Sequence, residues 1–257
     1  MVRRLCLVFA LLFAVPALAE EPAAGRTDQE FRLRLADQVQ TLSVHAEGVL
    51  RQVELSLLAV GDLITRQPNS DEAVVHAAIR RYADATQGLR AMLVVAADGR
   101  LLYDSYTFPA PKLDLSGREY LQTTLRDPTA RLLVHPVEIG KTSGVSFVPI
   151  TRPILDVNGA VVAITVGIMS PDALIPPMPD RCNRCYAAIF LRDQYLIAID
   201  PPGVQMTPDY VRTIPLQAAA SGRAEHHYGP LRYAMTWQRA NRYPVTSVML
   251  VLEKAVY

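Results

Sequence analysis

The residues best suited to bind a small molecule form one short run, Ser116 to Tyr120, with the sequence SGREY. Ser116 followed three positions later by Glu119 is the pattern of a capping box, which fixes the start of a helix. The free amides and the dipole of such a helix start favour an anion. Arg118 adds a guanidinium that can hold a carboxylate through two hydrogen bonds, and Tyr120 adds a hydroxyl. The run predicts a carboxylate site, unless Arg118 pairs with Asp114 or Glu119 at the surface and Tyr120 packs in the core.

Further polar side chains flank this run. Alternation along a predicted strand places Ser146 and Arg152 on one face, where they could complete the site. Arg152 precedes Pro153, which suggests a strand edge or bulge, so Arg152 is equally suited to satisfy loop carbonyls. The remaining candidates, which could also be wall, core or solvated residues, are His135, Lys141, Ser143, Tyr103 and Tyr106.

Cys182 and Cys185 are the other pair with distinct chemistry. In an oxidising compartment, two cysteines this close most simply form a small-loop disulfide. A redox-active pair is an alternative, although that motif is expected at a helix start and here it precedes a strand. Metal binding together with His226 and His227 is a third, disfavoured because adjacent strand residues point to opposite faces.

The elements that must position these residues begin with a predicted secretory signal peptide at residues 1–19. Arg3 and Arg4 precede a short apolar run that ends in Ala17-Leu18-Ala19, the layout of a cleavable signal. Cleavage would place the mature chain in the periplasm or outside the cell. The apolar run is shorter than the roughly 20 residues needed to cross a bilayer.

A long amphipathic helix is predicted to begin at Asp28 and to end before Pro68, which breaks it. Its apolar residues recur at alternating spacings of three and four: Phe31, Leu35, Val39, Leu42, Ala46, Val49, Val53, Leu57, Val60 and Ile64. One small module could not cover a helix of that length. Two modules along it are expected, with a homodimer through its exposed part as an additional use. A second helix, capped by Ser70 or Asp71, follows and ends before Gly88.

Residues 89–169 alternate between apolar runs and turn signals. Asp98-Gly99 and Asn158-Gly159 are strong hairpin signals, since glycine tolerates the positive φ of such turns. Strands are predicted over 89–97, 100–105, 131–139, 145–154 and 161–169, with a helix over 114–125. Residues 185–253 repeat the plan of two strands, a helix (209–221) and three strands.

This order, with the segments DLSGREYL, GKTSG and TRPILDVNGAVVAITVGI, resembles the double Cache sensor modules of bacterial receptors, which are PAS-like. The resemblance implies an α+β fold in which a long N-terminal helix precedes two modules, each with an antiparallel sheet. The implied divisions are a leader and two helices at 20–88, a ligand-binding module at 89–175 and a smaller module at 176–257. It also implies pocket roles for Arg118 and Tyr120. The predicted ligand-binding set is Arg118, Tyr120, Ser146, Arg152, His135, Ser143 and Tyr103.

The function expected from this resemblance is that of a non-enzymatic sensory or solute-binding protein without a cofactor. The amino-acid-sensing subgroup places a tryptophan near its arginine, whereas here Glu119 follows Arg118 and the sole tryptophan is Trp237. A small carboxylate therefore fits better than an amino acid, though both stay open. No kinase or cyclase segment is visible, so output through a partner such as a membrane receptor or kinase is expected.

Two alternatives remain open: a dimeric docking protein with a vestigial pocket, and a redox- or metal-dependent protein that uses Cys182 and Cys185. Of 257 residues, half are hydrophobic and the formal net charge is +1. That near-neutral balance argues against nucleic acid as a partner.

Overall fold

The computed structural model describes residues 23–67, 70–141, 143–179, 181–202, 216, 219–228 and 231–255. The predicted signal peptide and most of the predicted helix at 209–221 lie outside these residues. Contacts divide the chain into a small unit that ends at Arg34 and a large unit that begins at Leu35. The core, both sheets and the candidate site lie in the large unit. Within the described residues, no helix has the length and apolarity needed to cross a bilayer.

Helix α1, Ala23–Arg66, is the long helix that the apolar periodicity predicted. From Leu35 to Val60 its buried residues join one continuous core with both sheets. Met92 and Ile150 reach this core from the first sheet, and Ile189 and Met249 reach it from the second. The expectation that two sheets share the long helix is therefore confirmed. Helix α2, Glu72–Ala85, begins where Asp71 accepts a hydrogen bond from the Ala73 amide, as predicted.

The first sheet is antiparallel throughout, with the order β2-β1-β6-β5-β3 and β4 paired to β5. Its strands are β1 (Leu89–Ala96), β2 (Leu101–Asp104), β3 (Leu133–Val134), β4 (Glu138–Ile139), β5 (Ser146–Leu155) and β6 (Val161–Met169). Gly99 and Gly159 adopt positive φ in the two predicted turns. The single strand expected over 131–139 was wrong: it is split into β3 and β4 around Pro136, which has no amide to donate to the ladder.

The second sheet repeats the order of the first, as β8-β7-β11-β10-β9. Its strands are β7 (Cys185–Leu191), β8 (Tyr195–Asp200), β9 (Ser221–Tyr228), β10 (Leu231–Arg239) and β11 (Val245–Ala255). All its pairings are antiparallel. The α+β class with a long helix and two antiparallel sheets is thus confirmed. The sheets fall inside 89–175 and 176–257, but because one core spans both, those domain boundaries stay a prediction.

Candidate functional site

The helix that carries Tyr120 begins later than the sequence predicted. Helix α3 spans Glu119–Arg126, and its cap residue is Arg118, which makes no side-chain capping hydrogen bond. The capping box was therefore wrong. Ser116 instead sits in a turn where its amide donates to Asp114 Oδ1 at 2.8 Å, and Glu119 pairs with Arg126 at 3.1 Å in solvent.

Arg118 reaches across to the short strand β4 rather than to either acid proposed from the sequence. Its Nη1 donates to Glu138 Oε2 at 2.8 Å, and its Nη2 donates to the Ile139 carbonyl at 3.0 Å. The Arg118 and Glu138 side chains are only 16% and 20% exposed. The Arg118 Nε atom is buried and has no hydrogen-bond partner among the described residues. A largely desolvated guanidinium thus faces one carboxylate, and its buried Nε–H group is not used.

Behind Arg118, Tyr120 is enclosed between α3 and the first sheet. It is 2% exposed, and its ring stands edge-on to Phe147 at 6.3 Å between centroids. Burial raises the pKa of Tyr120 to about 12; the Arg118 charge opposes this rise and Glu138 adds to it. The Tyr120 hydroxyl therefore stays protonated across the physiological range.

His135 lies beside Tyr120, with 6.1 Å between ring centroids. Its Nε2 is 2.8 Å from Thr151 Oγ1, which is 2.6 Å from Thr124 Oγ1. Thr124 in turn donates to the Tyr120 carbonyl at 2.7 Å. Burial, with a smaller contribution from the charge of Arg192, lowers the pKa of His135 to about 4, so the imidazole is neutral near pH 7.

The side chains of the loop after β4 mainly form hydrogen bonds that stabilise the loop and a neighbouring turn. Ser143 Oγ accepts from the Val145 amide at 3.2 Å, and Lys141 Nζ donates to the Asp114 carbonyl at 3.2 Å. Ser143 is exposed, and its Oγ fills the space next to Gly140. Lys141 ties this loop to the turn that precedes α3, and neither Lys141 nor Ser143 hydrogen-bonds to Arg118.

Three residues of the predicted set lie elsewhere. Ser146 and Arg152 do share a face of β5. The expectation that this face lies across from Arg118 was wrong, because the face is turned toward α1. There Arg152 lines a cavity with Gly61 and Thr65. The Ser146 carbonyl accepts from Arg90. Tyr103 packs against the helix-side core. The sheet separates these residues from Arg118 because neighbouring positions of a strand point to opposite faces.

The two cysteines form the predicted disulfide at the start of β7. Both sulfur atoms are therefore occupied and offer no thiolate to a metal ion or a substrate in this state. No group of three or more histidine, cysteine or acidic residues that could hold a metal occurs in the described part of the chain.

Sequence reasoning missed Glu138, Thr124 and Thr151. Thr124 lies four positions after Tyr120, and this helical spacing places both on the inward face of α3. Thr151 lies two positions from Pro149 and four from Phe147 on β5, so strand alternation could have placed it with Phe147. Glu138 carried no comparable signal, because its pairing with Arg118 depends on where β4 meets α3.

Comparison with known proteins identifies the fold of this chain. No family model matches the chain, and no curated protein matches it. Among solved structures, a domain described as the extracellular part of the histidine kinase rpHK1S-Z16 superposes with a TM-score of 0.75 and 20% identity, covering 90% of this chain and 96% of that one.

Two further structures share the architecture at lower identity. The sensor domain of the V. cholerae histidine kinase DctB gives a TM-score of 0.58 at 13% identity, covering 89% of this chain and 99% of its own. The ligand-binding domain of the Campylobacter jejuni chemoreceptor Tlp3, solved with L-norvaline, gives 0.64 at 11% identity, covering 93% and 99%. The order of strands, the shared long helix and these matches agree with the resemblance noted in the sequence. The chain therefore has the double Cache fold of the extracytoplasmic sensor domains of histidine kinases and chemoreceptors.

Proposed function

We propose that this protein is a periplasmic or secreted sensory or solute-binding protein that recognises a small anionic metabolite, either a carboxylate or an amino acid. It would pass the signal to a partner protein such as a membrane receptor or kinase. The matched structures are sensor and ligand-binding domains, which supports the general role. One observation supports the site: the desolvated Arg118 guanidinium has a buried Nε donor without a described partner.

In this arrangement Glu138 occupies the position that a ligand carboxylate would take on Arg118. A buried guanidinium requires an anionic partner, because an unpaired charge in a poorly solvated site is costly. A ligand carboxylate can therefore replace Glu138 if it accepts the hydrogen bond that Nη1 now donates to Glu138 and also accepts one from Nε. Binding at this site couples ligand occupancy to the position of β4.

Such a displacement provides two conformations for signalling. With Glu138 on Arg118, β4 and the start of α3 are tied together; with a ligand on Arg118, this tie is released. A ligand shifts this equilibrium only by as much as its affinity differs between the two forms. The first sheet shares its core with α1, which gives a physical route from the site to a partner.

The test is a thermal-shift screen of organic acids and amino acids on the mature chain, followed by the Arg118→Gln variant. We expect the stabilisation by a hit compound to disappear in this variant. Arg126→Gln is the matched control, because Arg126 lies on the same helix in solvent and pairs only with Glu119 and neighbouring groups. An unchanged thermal shift in the folded Arg118 variant would refute the site.

A second candidate function, docking through a dimer, is favoured by a separate observation. Val44, Leu55 and Leu58 are 60%, 47% and 36% exposed and lie on one side of α1, since their spacings of 11 and 3 residues are near-integral helical turns. The Arg118–Glu138 pair would then be purely structural. Light scattering over a range of protein concentrations, together with the thermal-shift screen, distinguishes ligand sensing from docking. A tight dimer with no response to any screened compound supports docking.

A further inference from the structure

A cavity of about 380 Å³ lies beside the end of α1, where the end of β5 forms the edge of the first sheet, and its lining does not include Arg118 or Glu138. Its walls are the last two turns of α1, the loop 128–131 that follows α3, and the end of β5. The volume is in the range of pockets that hold small ligands, which is roughly 300–1,000 Å³. The cavity opens to solvent, so a ligand needs no rearrangement of the core to enter.

Positive charge predominates around this cavity. Arg66, Arg131 and Arg152 line it, against one carboxylate, that of Asp62. Asp62 lies 3.6 Å from Arg66 Nη2, and both side chains are largely in solvent, so this pair is weak. Two guanidinium groups, those of Arg131 and Arg152, remain without an acidic partner among the described residues.

A hydrogen bond positions the Arg152 side chain at the wall of this cavity. Its Nη1 donates to the Arg131 carbonyl, which joins β5 to the loop wall. No other described residue accepts from the Arg152 guanidinium, and none accepts from that of Arg131. The flanking strand residues Pro153 and Ile154 are buried and apolar. The cavity thus combines an apolar floor with guanidinium groups at its rim, which is the usual composition of a site for an organic anion.

We propose that this cavity is a second binding site, which takes a small organic anion with two or more carboxylate or phosphate groups. One guanidinium can pair with each acidic group in the planar, two-pronged manner that favours arginine over lysine. A ligand of this kind bridges the last turns of α1 to β5 and the loop 128–131. The proposal is independent of ligand binding at Arg118, because the two sites share no lining residue.

The experiment is isothermal titration of the mature chain with citrate, and in parallel with acetate, at low and at physiological salt. We expect citrate to bind, and acetate, which has a single charge, to bind at least about tenfold more weakly. Equal affinities for the two anions, or no citrate binding up to about 10 mM, would overturn the proposal.

Charge-removing variants locate the site. Arg131→Gln and Arg152→Gln should each weaken citrate binding by about tenfold or more, since each loses a charge-assisted contact. Arg131 is exposed and its side chain has no described partner, so that variant tests the site even if Arg152→Gln folds poorly. Arg126→Gln, outside the cavity, should leave citrate affinity within about twofold. A loss in Arg126→Gln as large as in Arg131→Gln would mean non-specific charge attraction and would refute the proposal.

The experiments distinguish a wrong proposal for the Arg118 site from a wrong proposal for the cavity. Arg118→Gln should leave citrate binding at the cavity intact while abolishing the response expected at the α3 site. If Arg118→Gln abolishes citrate binding and Arg131→Gln does not, citrate binds at the α3 site and the cavity proposal is wrong.

Discussion

The carboxylate of Glu54 and the guanidinium of Arg242 form a two-pronged ion pair, with Nη2–Oε1 at 3.0 Å and Nε–Oε2 at 3.1 Å. Glu54 lies on α1, and Arg242 lies in the turn between β10 and β11, 188 positions later. The Tyr243 hydroxyl donates to the same carboxylate at 2.7 Å, and Arg51 donates at 2.9 Å. This cluster fixes the second sheet to the long helix.

Removing the charge of Glu54 should destabilise the protein. Burial of this carboxyl would raise its pKa, but hydrogen bonds from Arg242, Tyr243 and Arg51 outweigh that effect and hold it at about 2. We expect Glu54→Gln to lower the free energy of unfolding by roughly 2–3 kcal/mol, because charge-assisted hydrogen bonds are lost at a site that is only 6% exposed. Urea unfolding, followed by the fluorescence of Trp237, measures the loss.

The control for this prediction lies on the same helix. Asp62→Asn removes the solvent-exposed pair with Arg66 and should change the free energy of unfolding by less than about 0.5 kcal/mol. Equal losses in Glu54→Gln and Asp62→Asn would contradict a special role for the buried carboxylate.

Acid should destabilise the fold in two successive pH ranges that overlap between about pH 4 and 4.5. His135 has a folded-state pKa of about 4, below its ordinary 6.5, so the unfolded chain binds a proton that the folded chain does not. The contribution of neutral His135 to the free energy of unfolding is therefore fully present above pH 6.5. It is lost as the pH drops toward 4, by a total of order 3 kcal/mol. The Glu54 contribution is present above pH 4.5 and is lost as the pH drops toward 2.

Unfolding free energies measured from pH 7.5 to 3.5 test this assignment. His135→Gln should flatten the dependence between pH 6.5 and 4.5 and leave in place the part of the loss below pH 4.5 that is due to Glu54. If the variant keeps the slope of the unmodified protein in the upper range, another group is responsible.

Glu138 should decide which class of ligand binds at Arg118. If the ligand is a plain carboxylate, Glu138→Gln removes its competitor, and affinity should rise at least several-fold because Arg118 is then freed from its ion pair. If the ligand is an amino acid whose ammonium group uses Glu138, the same variant should weaken its binding by about tenfold or more. Titration of each hit compound against both proteins distinguishes the two classes, and no change for any compound would count against the site.

Two glycines should respond oppositely to replacement by alanine. Gly48 lies in α1 with no atom within 4 Å of an added Cβ, so Gly48→Ala should stabilise the protein by about 0.5–1 kcal/mol. A Cβ on Gly222 would lie 2.3 Å from Trp237 Cζ2, and Gly222→Ala should cost roughly 1–3 kcal/mol. Thermal unfolding measures both changes, and Trp237 emission should shift only for Gly222→Ala. A stabilising Gly222→Ala would contradict the close packing of β9 on the indole.

The site illustrates how far sequence reasoning could extend. Tyr120 and His135 lie near each other, because α3 and the connection between β3 and β4 both pack on β5, but their common role in ligand binding stays a prediction. Arg152 was separated from them, since the sequence pattern gives the relative faces of two residues on one strand but not which face meets the site. Glu138 could not be identified, because the strand that carries it is two residues long and its position depends on the split around Pro136.

What the sequence alone determined were the features encoded in short segments. The apolar spacing of α1, the Asp71 cap, the glycine turns, the run of strands and the Cys182–Cys185 link each depend on residues close together in the chain, where local geometry dictates the structure. The tertiary structure decided the pairings between distant segments: Arg118 with Glu138, Glu54 with Arg242, and Arg152 with the cavity beside α1. Such pairings form only when separate elements pack, because the partner of a buried charge is whichever group the fold brings within reach.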